Sequence, residues 1–431
     1  MSLNILDRRV KMSERKRLLI YAHYYVPDKA STGQLLRELA EGLLTDFDIT
    51  VICAVPSYLG TVENRYKTKK YYYENINGVR VIRVRVPQFS KADKISRVKN
   101  IIAYFFGAIG ASFKAGKQEY VFAISQPPIL GGLLGVFGKL AKKAKYIYNI
   151  QDFNPEQTIA VNYSANKLVL NLMMALDKFS CRQSDLVITV GRDLADTLKN
   201  RFKKIPKYTV INNWADDKSI YPLSPNNEEV HKFREKYGLA GKFVIMYSGN
   251  IGLYYDLPGI MRVIEKFKPG TKAADGREAV FAFVGAGSML EELMSYVNKN
   301  GMDNVVFIPY QEKERLIYSL NSADVHWCVN AKGIKGVSCP SKYYGIAAAA
   351  KPVIAVLEKG TEIREIIEET DGGLCCEPGD YESIEKNIRW FLDNAGNDKA
   401  SDMGRRGYEY MLKNLTRDVS IEKYRRALLE L

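Results

Sequence analysis

The sequence predicts an α/β fold of two domains, each a parallel sheet wound with helices. Three observations carry this reading. The chain has 431 residues, 46% hydrophobic and 26% charged, which is globular and too long for one ordinary core. Apolar runs of strand length alternate with helical patterns from one end to the other. Several of those strands run into turns of small residues that open a helix, where open α/β sheets bind ligands.

The first domain begins with a strand at Leu18 to Ala22, the loop HYYVPDKASTG, a helix from about Gln34 to Leu44 and a strand at Asp48 to Ala54. Gly33 in that loop offers close backbone approach to a phosphate, although Thr32 and Gly33 read equally well as a helix cap. Residues 58–78 are basic and aromatic and end in Asn77-Gly78, a turn signal before the strand VRVIRVRV. A helix from Ile95 to Phe113 carries Ile101, Ile102, Tyr104, Phe105, Phe106 and Ile109, with Arg97, Lys99, Lys114 and Lys117 towards its ends. A second apolar segment, Ile129 to Leu140, precedes AKKAK. Both are short for a membrane span and broad for a plain amphipathic face, so core helices and helices lying in a lipid interface are both compatible. The strand Lys145 to Ile150 delivers Gln151-Asp152-Phe153-Asn154-Pro155-Glu156 at its carboxyl end. Asp152 is well placed for chemistry there, and a turn-forming Asp beside Pro accounts for the same residues. The strand Asp185 to Gly191, a helix from Arg192 and YTVINNWADD close the domain, and PLSPNNEE reads as linker.

The second domain starts with KFVIMYSGNIG, a strand ending in the turn Ser248 to Gly252. EAVFAFVGAGSMLEELMSYV repeats the theme with Gly285-Ala286-Gly287-Ser288. The strand Asn304 to Tyr310, a helix from Glu312 to Ser322 and DVHWCVN lead to GVSCPSKYYGIAAAAKPVIAV, Gly336 to Val356. In that stretch a small-residue turn, Ser338 to Lys342, feeds an alanine-rich helix that Pro352 stops before a buried strand. Free amides at a helix start and the Lys342 charge make an anion site, although an ordinary loop-helix-strand unit fits as well. A lone Gly-x-Gly is weak evidence for a nucleotide. Two such turns and this loop in one domain are stronger. Helices at 382–394 and 401–431 finish the chain, the last placed to cross back to the first domain.

Charge divides the chain. Residues 1–215 hold 34 Lys and Arg against 17 Asp and Glu, and residues 216–431 hold 29 against 32. The basic half favours an anionic partner, namely a membrane surface or a phosphorylated substrate. No recognition-helix or RNP-like pattern accompanies it, so nucleic acid is not expected. The six cysteines have no metal-ligand spacing and only three histidines are present, so reduced thiols and no metal are expected. Residues 1–16 have no apolar h-region and read as a tail.

In order and spacing, HYYVPDKASTG, NGVRVIRV, QDFNPE, YSGNIG, FVGAGSMLEEL, NVVFIPYQEKERL, PSKYYGIAAAAKPVIAV and GGLCCEPGD span some 400 residues. Over that span the chain resembles the GT4 family of retaining glycosyltransferases, and within it the bacterial surface-polysaccharide enzymes of the N-acetyl-fucosamine transferase type. The resemblance implies the GT-B fold, with two Rossmann-like domains facing each other across a cleft: residues 17–220 for the acceptor, 221–415 for a nucleotide sugar, and 416–431 as a helix returning to the first domain. It implies a UDP-linked donor, a lipid-linked or saccharide acceptor, no required cofactor, and a cytoplasmic protein peripheral on the inner face of the membrane. Carried over, Ser248, Gly249, Asn250 and Gly252 face the diphosphate, Gly285 and Gly287 lie under the nucleoside, and Pro309 and Tyr310 read the base. Ser341 and Lys342, with Tyr344 and Gly345 behind them, hold the diphosphate. Gly33 approaches it from the other side. Asp152 sits by the transferred sugar, with His23, Thr32 and Gln151 on the acceptor side. The family's two glutamates, eight positions apart, are absent: one register puts Val337 and Gly345 there, the other Lys335 and Tyr343. Lys335 and Lys342 are then the compensating cations. A non-catalytic sugar-nucleotide binder and a nucleotide-sugar 2-epimerase are the rival readings, and the scarcity of histidines weighs against the second.

Overall fold

The computed structural model describes residues 15–28, 30–90, 93–160 and 166–431, so most of the tail at 1–16 lies outside the described residues. Two sheets form, one per domain. The first has eight strands: β1 (Lys16–Ala22), β2 (Phe47–Ala54), β3 (Tyr71–Ile76), β4 (Val79–Val84), β5 (Tyr120–Ile124), β6 (Lys145–Ile150), β7 (Leu186–Thr189) and β8 (Tyr208–Val210). Their order is β3-β4-β2-β1-β5-β6-β7-β8, parallel except for the β3–β4 hairpin. Asn77 and Gly78 turn that hairpin with φ of 52° and 92°, the left-handed pair that a two-residue turn of this hand requires.

The second sheet has six parallel strands: β9 (Lys242–Ser248), β10 (Glu278–Val284), β11 (Val305–Ile308), β12 (Val325–Val329), β13 (Val353–Val356) and β14 (Gly373–Cys376), ordered β11-β10-β9-β12-β13-β14. β1 and β9 are central and buried almost throughout. That is what an apolar run covered by helices on both faces produces. The last helix, Arg417–Leu429, returns to the first domain, where Ile421, Tyr424 and Leu428 join the core around β1. Its Tyr424 hydroxyl accepts from Asn149 Nδ2 at 2.9 Å.

Two helices flagged for their apolar breadth separate here. Leu130–Lys142 is a core helix: Gly135 lies against the Tyr146 ring, where a Cβ would come within 2.1 Å. Lys94–Ser112 is apolar on two faces. Tyr104, Ala108 and Ala111 are buried beneath it, while Ile95, Val98, Ile102 and Phe106 stand exposed above. Among the described residues no helix is long and apolar enough to cross a membrane.

The domains are joined along one side. Phe153 N donates to Val337 O at 2.9 Å, and Asp152 pairs with Ser338 as an isolated antiparallel bridge. Gly336 N donates to Asp193 Oδ2 at 2.9 Å. Glu362 accepts from Arg192 N and Nε at 2.7 and 2.9 Å and from Asn212 Nδ2 at 2.9 Å.

Candidate active site

Beside that seam a cleft of about 610 Å³ opens between the carboxyl ends of the two sheets. The first domain contributes Ala30, Ser31 and Gln34, because the helix after β1 starts at Ser31 rather than at Gln34. The second contributes Ser248 and Gly249 after β9, Gly285 after β10, Tyr310 after β11, and Ser341, Lys342, Tyr344 and Gly345 at the start of the alanine helix. Gly249 and Gly285 both have φ of +144°. A Cβ on Gly285 would lie 2.0 Å from the Gly249 carbonyl oxygen, so the two strand-end turns touch backbone to backbone.

Lys342 dominates the electrostatics. Its Nζ lies 3.5 Å from the centre of the Tyr255 ring and 5.3 Å from that of Tyr247. A Cβ on Gly249 would meet Lys342 Cε at 2.8 Å, so glycine leaves the channel in which the lysine lies. Burial pulls the Lys342 ammonium down to about 8, only weakly opposed by Cys328. Among the described residues no carboxylate reaches it. Lys313, the other cation on the wall, is paired with Asp216 at 2.7 Å. A half-buried cation held by two ring faces and lacking an anion is arranged to receive one.

A second pocket, of about 250 Å³, adjoins the cleft at Ala30 and Ser31 and lies wholly in the first domain. His23, Thr32 and Asp152 come together on its wall with Tyr24, Tyr58 and Arg97. Burial raises the Asp152 carboxyl, against hydrogen bonds from Ser338 and Gln126 that lower it. His23 is buried, its Nε2 3.2 Å from Asn100 Oδ1, and burial draws it down to about 4, so it is neutral at pH 7.

Other expected residues lie elsewhere. Gln151 does not line the second pocket: its amide donates to Asn149 Oδ1 at 2.6 Å and accepts from Asn213 Nδ2 at 2.8 Å, in the network that holds the last helix. Lys335 turns outward and donates to the Lys359 carbonyl at 2.5 Å, so it supplies no charge to the cleft wall. Gly33 is buried in the first turn of its helix, under the Tyr24 carbonyl. Gly287 packs on the backbone of Ile251, and Asn250 folds beside Gly252 while its carbonyl accepts from Tyr247. These four and Pro309 shape the turns and are not on the cleft wall. Tyr255 and Arg97 went unselected in the sequence as site residues, because an aromatic in a turn and a cation in a first helical turn are common surface features.

Two family models match the chain. One, described as glycosyl transferases group 1, matches residues 229–410, and another, a glycosyl transferase 4-like domain, matches residues 32–214. The chain is a glycosyltransferase. One model lies on each side of the cleft. A probable glycosyltransferase of Pseudomonas aeruginosa, WbjE, is 25% identical over 347 residues, covering 79% of this chain and 82% of that protein. Two solved structures share the fold of this glycosyltransferase. Sucrose-phosphate synthase from Thermosynechococcus elongatus superimposes with a TM-score of 0.75 at 13% identity, over 97% of this chain and 100% of that one. Anabaena Alr3699/HepE, solved in complex with UDP, gives 0.68 at 13% identity, over 96% and 100%. The two facing parallel-sheet domains are the GT-B architecture of the solved neighbours, so the fold implied by the sequence is the fold observed.

Proposed function

We propose that this glycosyltransferase moves a sugar, with retention, from a UDP-linked donor to a lipid-linked or saccharide acceptor in the assembly of a surface polysaccharide such as O-antigen or capsule. The observation that carries the reading is Lys342, a half-buried cation without an anion at the point where the strand-end turns of the second domain converge. A nucleoside diphosphate supplies that anion, and the UDP complex of HepE supports the choice of nucleotide. The donor is an N-acetylated sugar, a reading that rests on the motif resemblance. WbjE supports placing the enzyme among bacterial glycosyltransferases.

In this account the enzyme supplies no nucleophile and needs no metal or other cofactor. Its work is to stabilise charge on the departing diphosphate, which Lys342 does with the amide of Ser341 beside it. Removing one such donor costs about 3 kcal/mol of barrier in comparable oxyanion sites. Asp152 meets the acceptor hydroxyl or the transferred sugar in the adjoining pocket. The exposed apolar stripe on Lys94–Ser112, amid basic residues, holds the first domain against the cytoplasmic face of the membrane.

The test is product formation. Purified enzyme is incubated with UDP-N-acetyl sugars and membrane lipid extract, and released UDP and the anomeric configuration of the product are measured. UDP release with a retained linkage supports the proposal. Tight binding of UDP with no release from any donor favours the second reading, a sugar-nucleotide binder without turnover. The specific observation behind that reading is Gly345 on the cleft wall, where a carboxylate is expected in one family register.

A further inference from the structure

A buried guanidinium grips the loop that follows Asp152. Arg201 ends the helix Arg192–Arg201, and its side chain is 5% exposed. Its Nη2 donates to the Asn154 carbonyl at 3.1 Å and its Nε to Glu156 Oε1 at 2.8 Å. The guanidinium carbon lies over the Phe153 ring, 4.2 Å from its centre. Nη1 donates to Asp177, whose other oxygen accepts from the Tyr148 hydroxyl at 2.7 Å. Apart from Asp177, these partners of Arg201 are residues 153, 154 and 156. A buried cluster of charges adds little net stability, because the mutual attraction roughly offsets the loss of water. What the planar fork of an arginine adds is a fixed geometry, and a lysine ammonium keeps the charge but not the fork.

The other end of the same helix holds the second domain. Asp193 Oδ2 accepts from Gly336 N at 2.9 Å, and a Cβ on Gly336 would come within 2.3 Å of Thr197 Oγ1. Gly336 thus lies against the helix, and from it the chain runs through Val337 and Ser338 to Lys342. Val337 and Ser338 are the residues that meet the Asp152 loop: Phe153 N donates to Val337 O at 2.9 Å, and Asp152 bridges Ser338. Between its ends the helix is fixed by Leu194 and Leu198, both buried in the first-domain core. One element about 15 Å long therefore carries the Asp152 loop at its last turn and the segment leading to Lys342 at its first.

We infer that Arg201 is a positioning residue for Asp152, and that its helix, with Asp193 at the other end, sets Asp152 against the loop that leads to Lys342. This rests on the reading in which Asp152 meets the acceptor hydroxyl or the transferred sugar. Arg201 acts through the loop and not on substrate.

Two measurements test it. In hydrogen exchange followed by mass spectrometry on the protein without ligand, Arg201→Lys should quicken exchange around Phe153 and around Val337 and leave the rest of the chain as in wild type. In steady-state kinetics of UDP release, Arg201→Lys should lower kcat about tenfold or more with KM for the donor unchanged. Asp177→Asn removes a charge from the same cluster but not the hold on Asn154, so it should lower the melting temperature and keep kcat. Asp152→Asn combined with Arg201→Lys should be no slower than Asp152→Asn alone, because the arginine acts through that carboxylate. Glu156→Gln, at a more exposed partner and so a milder change, should show both effects of Arg201→Lys in weaker form. Unchanged exchange in Arg201→Lys and Glu156→Gln overturns the inference, as do a wild-type kcat in both or losses that multiply in the double variant. Exchange that quickens across the whole chain in both overturns it too, since the arginine is then a general support. A wild type that releases no UDP from any donor counts against the proposed reaction, and the exchange arm then decides by itself whether Arg201 holds the two loops together.

Discussion

Lys342 lies with its ammonium 3.5 Å from the centre of the Tyr255 ring, in a channel kept open by the missing side chain of Gly249. Ring faces attract a cation but do not replace water, which is why burial brings the ammonium down to about 8. The site is therefore electrostatically unfinished until an anion arrives.

A pH dependence follows. The lowered value in the free protein means that the charged form predominates below about 8 and is lost above it. An anion binds the charged form, so binding raises the ammonium again and takes up a proton. Affinity for UDP should be steady below that value and fall as the pH rises through it, while Lys342→Met should show weak and nearly flat binding. Calorimetry across the range checks this, and the same decline in Lys342→Met would assign it to another group.

Stability should move the other way. Because the folded value is below the unfolded one, folding disfavours the charged form, and that penalty is present at neutral pH and relieved as the pH rises above about 8. Lys342→Met without ligand should melt at a higher temperature than wild type at neutral pH, and the difference should shrink in alkaline buffer. A lower melting temperature would mean that the ring contacts outweigh the burial of charge.

The two strand-end glycines should respond differently to alanine. Gly249→Ala strains φ +144° and pushes on a flexible lysine chain, so a cost of about 1–3 kcal/mol with a folded protein and weakened UDP binding is expected. Gly285→Ala sets a Cβ 2.0 Å from a backbone oxygen, which cannot rotate away. It should lower stability much more. Urea denaturation of the two variants measures the contrast, and equal costs would show that the turns can shift together.

At the seam, Glu362 is nearly inaccessible and accepts from three nitrogens of the other domain. Glu362→Ala leaves Asn212 and Arg192 without that acceptor, at about 1–3 kcal/mol. The domains should open, read as a larger radius of gyration in small-angle scattering. An unchanged radius would locate the hold elsewhere, in the Asp152–Ser338 and Asp193–Gly336 contacts.

Ile102→Glu with Phe106→Glu should abolish most binding to anionic vesicles, and wild-type binding should weaken with added salt. Both side chains already face solvent, so the variant should melt as wild type does. Unchanged vesicle binding would remove this stripe from the membrane contact.

Much of this was legible before the fold. The turns after β9 and β10 and the Pro-Ser-Lys loop announce themselves because strand, small-residue turn and helix follow in fixed order, and topology then brings those turns to one edge of the sheet. β5 is not legible, since YVFAI is a short apolar run that periodicity cannot tell from helix, and β3 reads as a basic aromatic loop because YYYENI, on a sheet edge, lacks an alternation of apolar and polar residues. Lys335 and Gln151 were misplaced for another reason. Each stands at a suitable position along the chain, but side-chain direction is set by partners remote in sequence, Lys359 for one and Asn213 for the other.

The most direct test of the central claim is the shift in melting temperature that UDP produces in wild type and in Lys342→Ala, with GDP and ADP as controls. A ligand that binds only the native state raises the transition by mass action. The account predicts a clear, UDP-selective rise in wild type that is largely lost in the variant. An equal rise in both proteins would contradict it, because the diphosphate would then be held without the lysine on which the site has been built.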